Sequence, residues 1–264
     1  MDKVTFSVFS KPWGELSIRA LGQLIREFGF DGVELPVRPG FQVEPERIRI
    51  DLPNASKTLR NEGVEITSIA GPVTEDAFEA CAEAGIPTIR VMYRVNEDGY
   101  IASEAAARRE LDALTPFCER YGIKVGVQNH CDFFVPPNSL GLRSLLEDYD
   151  PRYIGAIWDA AHTALDGEEP EMGLDIVWSH LCMVNLKNAY WRRTNGPEAE
   201  EVEWSVYWTS GRQGLASWPR IAEYLKNRSY SGVICLTAEY SDTQEVNRLT
   251  KEDIAWAKEL FGVG

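Results

Sequence analysis

The strongest constraint on the fold is a short unit that occurs four times along the chain. Each copy has an amphipathic segment of helical spacing, then a glycine, then a short run rich in β-branched residues. The copies are EFGFDGVEL, NEGVEITSI, EAGIPTIRVM and RYGIKVGVQN, with Gly29, Gly63, Gly85 and Gly122 at the junctions. A glycine at such a junction can take the left-handed backbone conformation that ends a helix before the chain turns into a strand. The unit therefore predicts a repeated order of helix and strand.

Eight strand-length runs are found when the outer segments are added. They begin near Val4, Gly32, Val64, Thr88, Lys124, Ile154, Cys182 and Gly232. Most are separated by a segment long enough for a helix, and such alternation gives right-handed parallel crossovers. Eight of these units in about 250 residues have the size of a (β/α)8 TIM barrel. The alternative is a doubly wound open sheet, which the absence of G-x-G-x-x-G after the first strand disfavours.

Composition narrows the domain count and the partners. No linker rich in Pro, Gly or Ser is present, so we expect one α/β domain over residues 1–264. Lys plus Arg total 27 against 41 Asp plus Glu, and the net charge of -14 argues against nucleic acid or an anionic membrane surface as partner. No stretch approaches the roughly 18 apolar residues of a membrane span, and the amino-terminal residues lack a signal pattern. Five widely spaced cysteines favour reduced thiols, so we expect a cytoplasmic protein.

Two connections are longer than a bare helix needs. They cover residues 36–53 and 189–217, and both leave the carboxyl end of a predicted strand, which is the catalytic face of a barrel. Long connections at that face are often lids. The second is rich in Trp and Tyr, whose rings stack well on sugars. Two interpretations stay open: it covers the mouth of the barrel, or its aromatic residues pack within the loop or against another subunit.

Polar side chains are concentrated where the predicted strands end. They are Glu34, Gln128, Asn129, His130, Asp159, His162, Asn185, Lys187 and Glu239. Each has a structural explanation by itself: for example, Asp159 could cap the following turn, and a single histidine at a strand end is often structural. The strands of a barrel bring these ends to one mouth, however, and so many oxygen and imidazole groups together indicate a site for a small molecule or a metal.

The order and spacing of these strand-end segments carry a family resemblance. The segments are GFDGVEL, VQNH, GAIWDAAH, MVNLKN and GVICLTAEY. They resemble those of the xylose-isomerase-like barrel family of sugar and sugar-phosphate isomerases and epimerases, over nearly the whole chain. The resemblance implies a divalent cation, commonly Mn, Mg or Co, held by Glu, Asp, His and Glu from strands five to eight. It also implies that the two glutamates move a proton on and off a carbon beside a carbonyl.

Two of the four implied ligand positions differ from the family pattern. Asp159 and Glu239 match, while Gln128 stands at the usual glutamate and Asn185 at the usual histidine. Amide oxygens can still coordinate a hard cation, so the implied metal set is Gln128, Asp159, Asn185 and Glu239. With less charge and no imidazole, we expect weak binding of Mg or Mn. An amide also cannot accept a proton, which removes one base of the pair.

The expected function is therefore an isomerase or epimerase that acts on a sugar, a sugar phosphate or a keto-sugar by proton transfer next to a carbonyl. The implied catalytic residues are Glu239 as base with His162 and Lys187, and the implied substrate-binding residues are Glu34, His130, His162, Lys187 and Arg192. Two alternatives stay open: a lyase or dehydratase on a keto-sugar or inositol derivative, and an altered barrel that only binds a sugar-like ligand. An apurinic endonuclease is disfavoured, because only 3 histidines and a net charge of -14 are present. A homo-oligomer is left open.

Overall fold

A computed structural model describes residues 4–263, and its centre is a closed barrel of eight parallel strands. The strands are β1 (Thr5–Phe9), β2 (Gly32–Pro36), β3 (Glu65–Ala70), β4 (Thr88–Val91), β5 (Lys124–Gln128), β6 (Ile154–Asp159), β7 (Leu181–Leu186) and β8 (Val233–Leu236). Each strand pairs with its neighbours in chain order, and β8 closes the barrel by pairing with β1. The predicted (β/α)8 barrel is confirmed.

Helices lie between the strands and cover the outside of the barrel. They are α1 (Ile18–Phe28), α2 (Ile48–Asn61), α3 (Glu75–Ala84), α4 (Tyr100–Tyr121), α5 (Ser139–Leu146), α6 (Ala160–Leu165), α7 (Pro170–Val177), α8 (Trp218–Asn227) and α9 (Val246–Phe261). The four glycines of the recurring unit all have positive φ, from 68° to 96°, as the repeat predicts. Within residues 4–263, no helix is long and apolar enough to span a bilayer.

The barrel strands are buried on both faces. All residues of β2 and β6 are buried, because one face packs inside the barrel and the other against helices. Inside, Phe9, Ile157 and Met183 belong to a small apolar cluster below the mouth. The polar residues at the carboxyl ends therefore stand above a buried apolar layer.

The two long connections contain more regular structure than the sequence suggests. In the first, α2 already begins at Ile48, so Pro53 lies inside a helix rather than at the end of a loop. The second forms an antiparallel ribbon in which Asn188–Arg193 pairs with Trp204–Thr209. Its alternating aromatic and polar residues suit a two-stranded sheet with two different faces. We call this pair of strands the ribbon.

Candidate functional site

Asp159 anchors the floor of the barrel mouth. Its Oδ1 accepts hydrogen bonds from the backbone N–H groups of Ala161 (3.0 Å) and His162 (3.2 Å), so it caps α6 and fixes the position of His162. Its Oδ2 accepts from Nε2 of Gln128 at 3.0 Å and from Nδ2 of Asn185 at 3.4 Å. Burial raises the pKa of Asp159 to about 6, although Lys187 and these hydrogen bonds favour the ionised form. Asp159 therefore caps α6 and also contacts the polar residues at the ends of β5 and β7.

A buried ion pair lies beside this group, and one of its partners, Arg90, was not predicted. Nε of Arg90 donates to Oε1 of Glu34 at 2.9 Å, and Nη1 of Arg90 donates to Oε1 of Gln128 at 2.6 Å. The Arg90 and Glu34 side chains are only 5% and 1% exposed. Oε2 of Glu34 is buried and has no hydrogen-bond partner among the described residues. Arg90 lies in the apolar run of β4, and a single charged residue within a buried strand was the sequence signal that could have identified it.

Glu239 belongs to a different group, formed with two lysines. Nζ of Lys187 and Nζ of Lys11 each donate to one of its carboxylate oxygens at 2.6 Å. Burial by itself would raise the pKa of Glu239, but the two ammonium groups outweigh it and lower the pKa to about 2. Nζ of Lys187 also lies 3.7 Å from the centre of the Trp208 ring, at the inner end of the ribbon. Lys11 was missed, although it stands two residues after the end of β1 and so lies at the catalytic face.

His130 is held in one orientation and one tautomer. Its ring lies between those of Phe134 and His162, with ring centres 4.1 Å and 3.7 Å away. Its Nδ1 is 2.6 Å from the carbonyl oxygen of Cys131, which can only accept, so Nδ1 carries the proton. Burial lowers the pKa of His130 below its ordinary value of 6.5, and the ring is therefore neutral at pH 7. Nε2 is left with a free lone pair, as a base requires.

His162 is neutral and buried behind His130. Its Nδ1 lies 3.1 Å from Sγ of Cys131, and burial raises the pKa of that thiol to about 12, so the thiol stays protonated. Burial, together with the nearby Lys187, lowers the pKa of His162 well below 6.5. Nε2 of His162 has no hydrogen-bond partner in the part of the chain that the structure describes. His162 thus presents an unused polar atom near Trp208, whose ring centre is 5.3 Å away.

A cavity of about 750 Å³ opens over His130 and over Glu239 with its two lysines. Its walls include Lys11, His130, Lys187, Trp208 and Glu239. We call it the His130 cavity. Its size suits a monosaccharide, and it combines a neutral base, two ammonium groups and an aromatic face. Three predicted substrate-binding residues lie outside its lining. Glu34 is buried with Arg90, and His162 is buried behind His130. Arg192 is exposed on the ribbon, with its guanidinium 4.6 Å from the Tyr207 ring centre.

The resemblance to the xylose-isomerase-like family implies a divalent cation, and the predicted ligands can be tested against it. Both oxygens of Glu239 accept from ammonium groups, and both oxygens of Asp159 accept from amides or backbone N–H groups. Arg90 donates to the amide oxygen of Gln128, and only Oδ1 of Asn185 lacks a partner. A cation would have to displace three positively charged side chains, so the residues present do not fit it. The metal site therefore stays a prediction, against which these contacts argue.

Comparison with known proteins settles the family. A model of the xylose isomerase-like TIM barrel matches residues 23–260. The chain belongs to this family. This xylose isomerase-like barrel has no match among the curated proteins.

Several solved structures share the whole barrel at low sequence identity. A 3-keto-D-glucoside 4-epimerase from E. coli is 14% identical with a TM-score of 0.74, covering 97% of this chain and 100% of that one. A D-psicose 3-epimerase from Clostridium cellulolyticum H10 is 10% identical with a TM-score of 0.74, covering 98% and 99%. A probable 3-DHS dehydratase from Bacillus anthracis is 12% identical with a TM-score of 0.71, covering 96% and 98%. These likenesses show the shared fold.

Proposed function

We propose that this chain is an enzyme that moves a proton beside the carbonyl of a sugar-like compound, as an isomerase or epimerase. The observation that carries the proposal is the neutral imidazole of His130, whose Nδ1 proton is bonded to Cys131 and whose Nε2 is free, in one cavity with Lys11 and Lys187. A base and cations in one cavity are what proton abstraction next to a carbonyl requires. The epimerase and dehydratase among the structural neighbours support this class of substrate.

In this proposal His130 is the base and the lysines stabilise the product of proton removal. Removing a proton from the carbon leaves a negative charge on the former carbonyl oxygen. The ammonium group of Lys187 is 6% exposed and is held in place by Glu239 and the Trp208 ring, so it can stabilise that charge without rearrangement. The face of Trp208 would then pack against the apolar side of the sugar ring.

Glu239, the base expected from the family, has a different role here. Its pKa of about 2 makes it a weak proton acceptor, since each pKa unit of lost basicity costs about 1.4 kcal/mol in the transfer equilibrium. We assign to it the positioning of Lys11 and Lys187. With one base instead of two, the site suits a reaction in which the same group returns the proton to the neighbouring carbon or oxygen.

Deuterium exchange tests the proposal. The protein is incubated in D₂O with a panel of ketoses and keto-sugars, and exchange beside the carbonyl is followed by NMR. We expect exchange with at least one compound, a loss of about 10²–10⁴-fold in His130→Gln, and a rate that stays level from pH 8 to below 6.5 because the pKa of His130 is lowered.

His180→Gln is the matched control. His180 bonds Ser179 and the carbonyl of Tyr149, outside the His130 cavity, and its loss should leave the exchange rate unchanged. Binding of a sugar with no exchange would instead make the protein a binder. Exchange that survives in His130→Gln but is lost in Glu239→Gln would return the role of base to Glu239.

A further inference from the structure

A second cavity opens at the same mouth, on the side of β2, β3 and β4. It has a volume of about 360 Å³ and is lined by Arg38, Arg90 and Tyr93, together with residues of the segments after β3 and β4. We call it the arginine cavity. It lies beyond the buried Arg90–Glu34 pair, while the His130 cavity lies toward β7 and β8. The reaction proposed above uses none of its residues.

Arg38 is an unusual cation for this protein. It is half-buried, and no carboxylate or carbonyl among residues 4–263 lies within hydrogen-bonding or ion-pair distance of its guanidinium. Burial and the like charge of Arg90 lower its pKa, although it remains a cation at neutral pH. The Arg38 and Arg90 guanidinium carbons lie 5.8 Å and 4.6 Å from the centre of the Phe9 ring. Phe9 therefore holds two like charges next to one cavity.

Two further donors in this cavity have no acceptor. Nε and Nη1 of Arg90 are used by Glu34 and Gln128, whereas nothing in the described chain accepts from its Nη2. The hydroxyl oxygen of Tyr93 is buried and makes no hydrogen bond of standard geometry in the same part of the chain. Burial, and after it the nearby Glu110 carboxylate, raise the pKa of Tyr93. A buried donor without an acceptor costs free energy, and this applies to the Tyr93 hydroxyl. Together with Nη2 of Arg90, which also lines the cavity, it indicates a ligand that accepts hydrogen bonds.

The nearby carboxylates do not cancel this excess of donors. Glu34 balances one charge, that of Arg90, to which it is directly bonded. Glu110 also lines the cavity, but it is an exposed residue of α4, where solvent screens its charge. Glu239 also favours the charged form of Arg38, but its two oxygens are bonded to Lys11 and Lys187. No carboxylate of the described residues is therefore paired with Arg38, and its charge is available to a ligand. The chain as a whole carries a net charge of -14, so a local excess of positive charge sets this cavity apart from the rest of the protein.

We infer that the arginine cavity binds an oxyanion, a carboxylate or a phosphate, at the end of the substrate remote from the carbonyl that lies in the His130 cavity. Guanidinium groups match the planar or tetrahedral oxygens of these anions, and Tyr93 adds a neutral donor. The inference rests on the proposed function and makes it more specific: the substrate is an acidic or phosphorylated sugar derivative rather than a neutral sugar.

The test compares three ligands of one skeleton: D-fructose, D-fructose 6-phosphate and the corresponding 6-carboxylate. Calorimetry gives each Kd, and NMR gives each deuterium exchange rate. We expect at least one anion to bind ten-fold or more tightly than D-fructose, and this advantage to decrease with added salt. The better anion identifies phosphate or carboxylate as the group recognised.

Arg38→Gln should remove the advantage of the anion, so that the Kd for the anion rises to that for D-fructose. Arg109→Gln, at an exposed arginine of α4, is the matched control and should keep the advantage. Circular dichroism shows whether each variant is folded, and Arg38→Lys, which keeps the charge, should retain part of the gain.

The two hypotheses fail in different ways. Equal affinity for D-fructose and both anions, or an advantage that survives in Arg38→Gln, would overturn the anion site while exchange with D-fructose still supports the enzyme. Tight, Arg38-dependent binding of an anion without deuterium exchange would keep the anion site and reject the enzyme.

Discussion

The two sides of the barrel mouth each hold a carboxylate beside a cation, but the two pairs differ in their access to solvent. On the side of β2 and β4, Glu34 and Arg90 have side chains 1% and 5% exposed. On the side of β7 and β8, the Glu239 side chain is 27% exposed, and its partner Lys11 is 47% exposed. A buried pair is difficult to separate, whereas a partly hydrated one exchanges partners at little cost. The Glu34–Arg90 pair therefore stabilises the fold, whereas the Glu239–Lys11 pair is accessible to a substrate.

The largest effect should come from breaking the buried pair. Glu34→Leu leaves the Arg90 guanidinium buried without its carboxylate, and we expect the free energy of unfolding to decrease by about 3–5 kcal/mol. Glu239→Gln keeps an oxygen that accepts from Lys187, so its free energy of unfolding should decrease by only about 1 kcal/mol. Urea denaturation of both variants measures the contrast. Adding Arg90→Met to Glu34→Leu should recover much of the loss, and equal losses at the two positions would contradict the comparison.

The ionisation of Asp159 gives the next effect, through pH. Its folded pKa of about 6 lies above the ordinary value of 3.8, so the folded protein holds this proton more tightly than the unfolded chain. Ionisation therefore costs stability above pH 6, by about 3 kcal/mol at roughly 1.4 kcal/mol per pKa unit, and the cost disappears as the pH falls from 6 to 3.8. Asp159→Asn keeps the cap of α6 and removes this cost.

The free energy of unfolding of Asp159→Asn, relative to that of the parent, should accordingly be about 2 kcal/mol higher at pH 7 than at pH 4, where part of the cost is still present. Denaturation at a series of pH values measures this difference, and comparison with the parent cancels the titration of the histidines. A difference that does not change with pH would mean that Asp159 is ionised normally.

The barrel could be predicted because its evidence is local and repeated. Apolar runs, helical spacing and glycines such as Gly85 are each read from neighbouring residues, and all eight strands begin within one residue of the predicted positions. The polar strand ends could be predicted for the same reason, since Asp159 and His162 follow a buried strand directly. The partners of these residues depend on contacts across the barrel. Lys11 meets Glu239 over 228 residues, and no local pattern indicates such a pair.

Metal affinity tests whether four residues of the mouth form one site. Because Glu239 is held by lysines and Gln128 by Arg90, we expect the parent to show negligible affinity for Mn²⁺. Gln128→Glu with Asn185→His restores the ligand types of the family, and a shared ion would then bind ten-fold or more tightly, about 1.4 kcal/mol. Adding Glu239→Gln should remove most of that gain. Calorimetry that finds negligible affinity in all three proteins would show that these positions do not share an ion.

The inner end of the ribbon should matter more to the ligand than its outer end. Trp208 contacts Lys187 and lines the His130 cavity, whereas Trp204 is 57% exposed. Trp208→Leu removes a cation–π contact and a surface for the sugar ring, and we expect Kd or KM to rise about five-fold, close to 1 kcal/mol. Trp204→Leu is the matched control with no expected change. The same effect from both variants would mean that the ribbon acts as a whole, as a lid that closes over the mouth.

The smallest effect should come from shortening the tip of the ribbon. The contacts of this tip are largely internal, such as the hydrogen bond from the Thr194 backbone N–H to the carbonyl of Glu203 at 2.9 Å. Replacing residues 195–202 by a two-residue Asn-Gly turn preserves the pairing of the ribbon strands. Exposed loop tips tolerate such changes, so ligand affinity should change by less than about two-fold and the free energy of unfolding by less than about 0.5 kcal/mol. Calorimetry, denaturation and light scattering measure affinity, stability and oligomeric state in turn. A large loss of affinity would place the tip over the mouth when ligand is bound, and a change of mass would make it a subunit contact; either result would extend the reactive side of the mouth beyond Trp208.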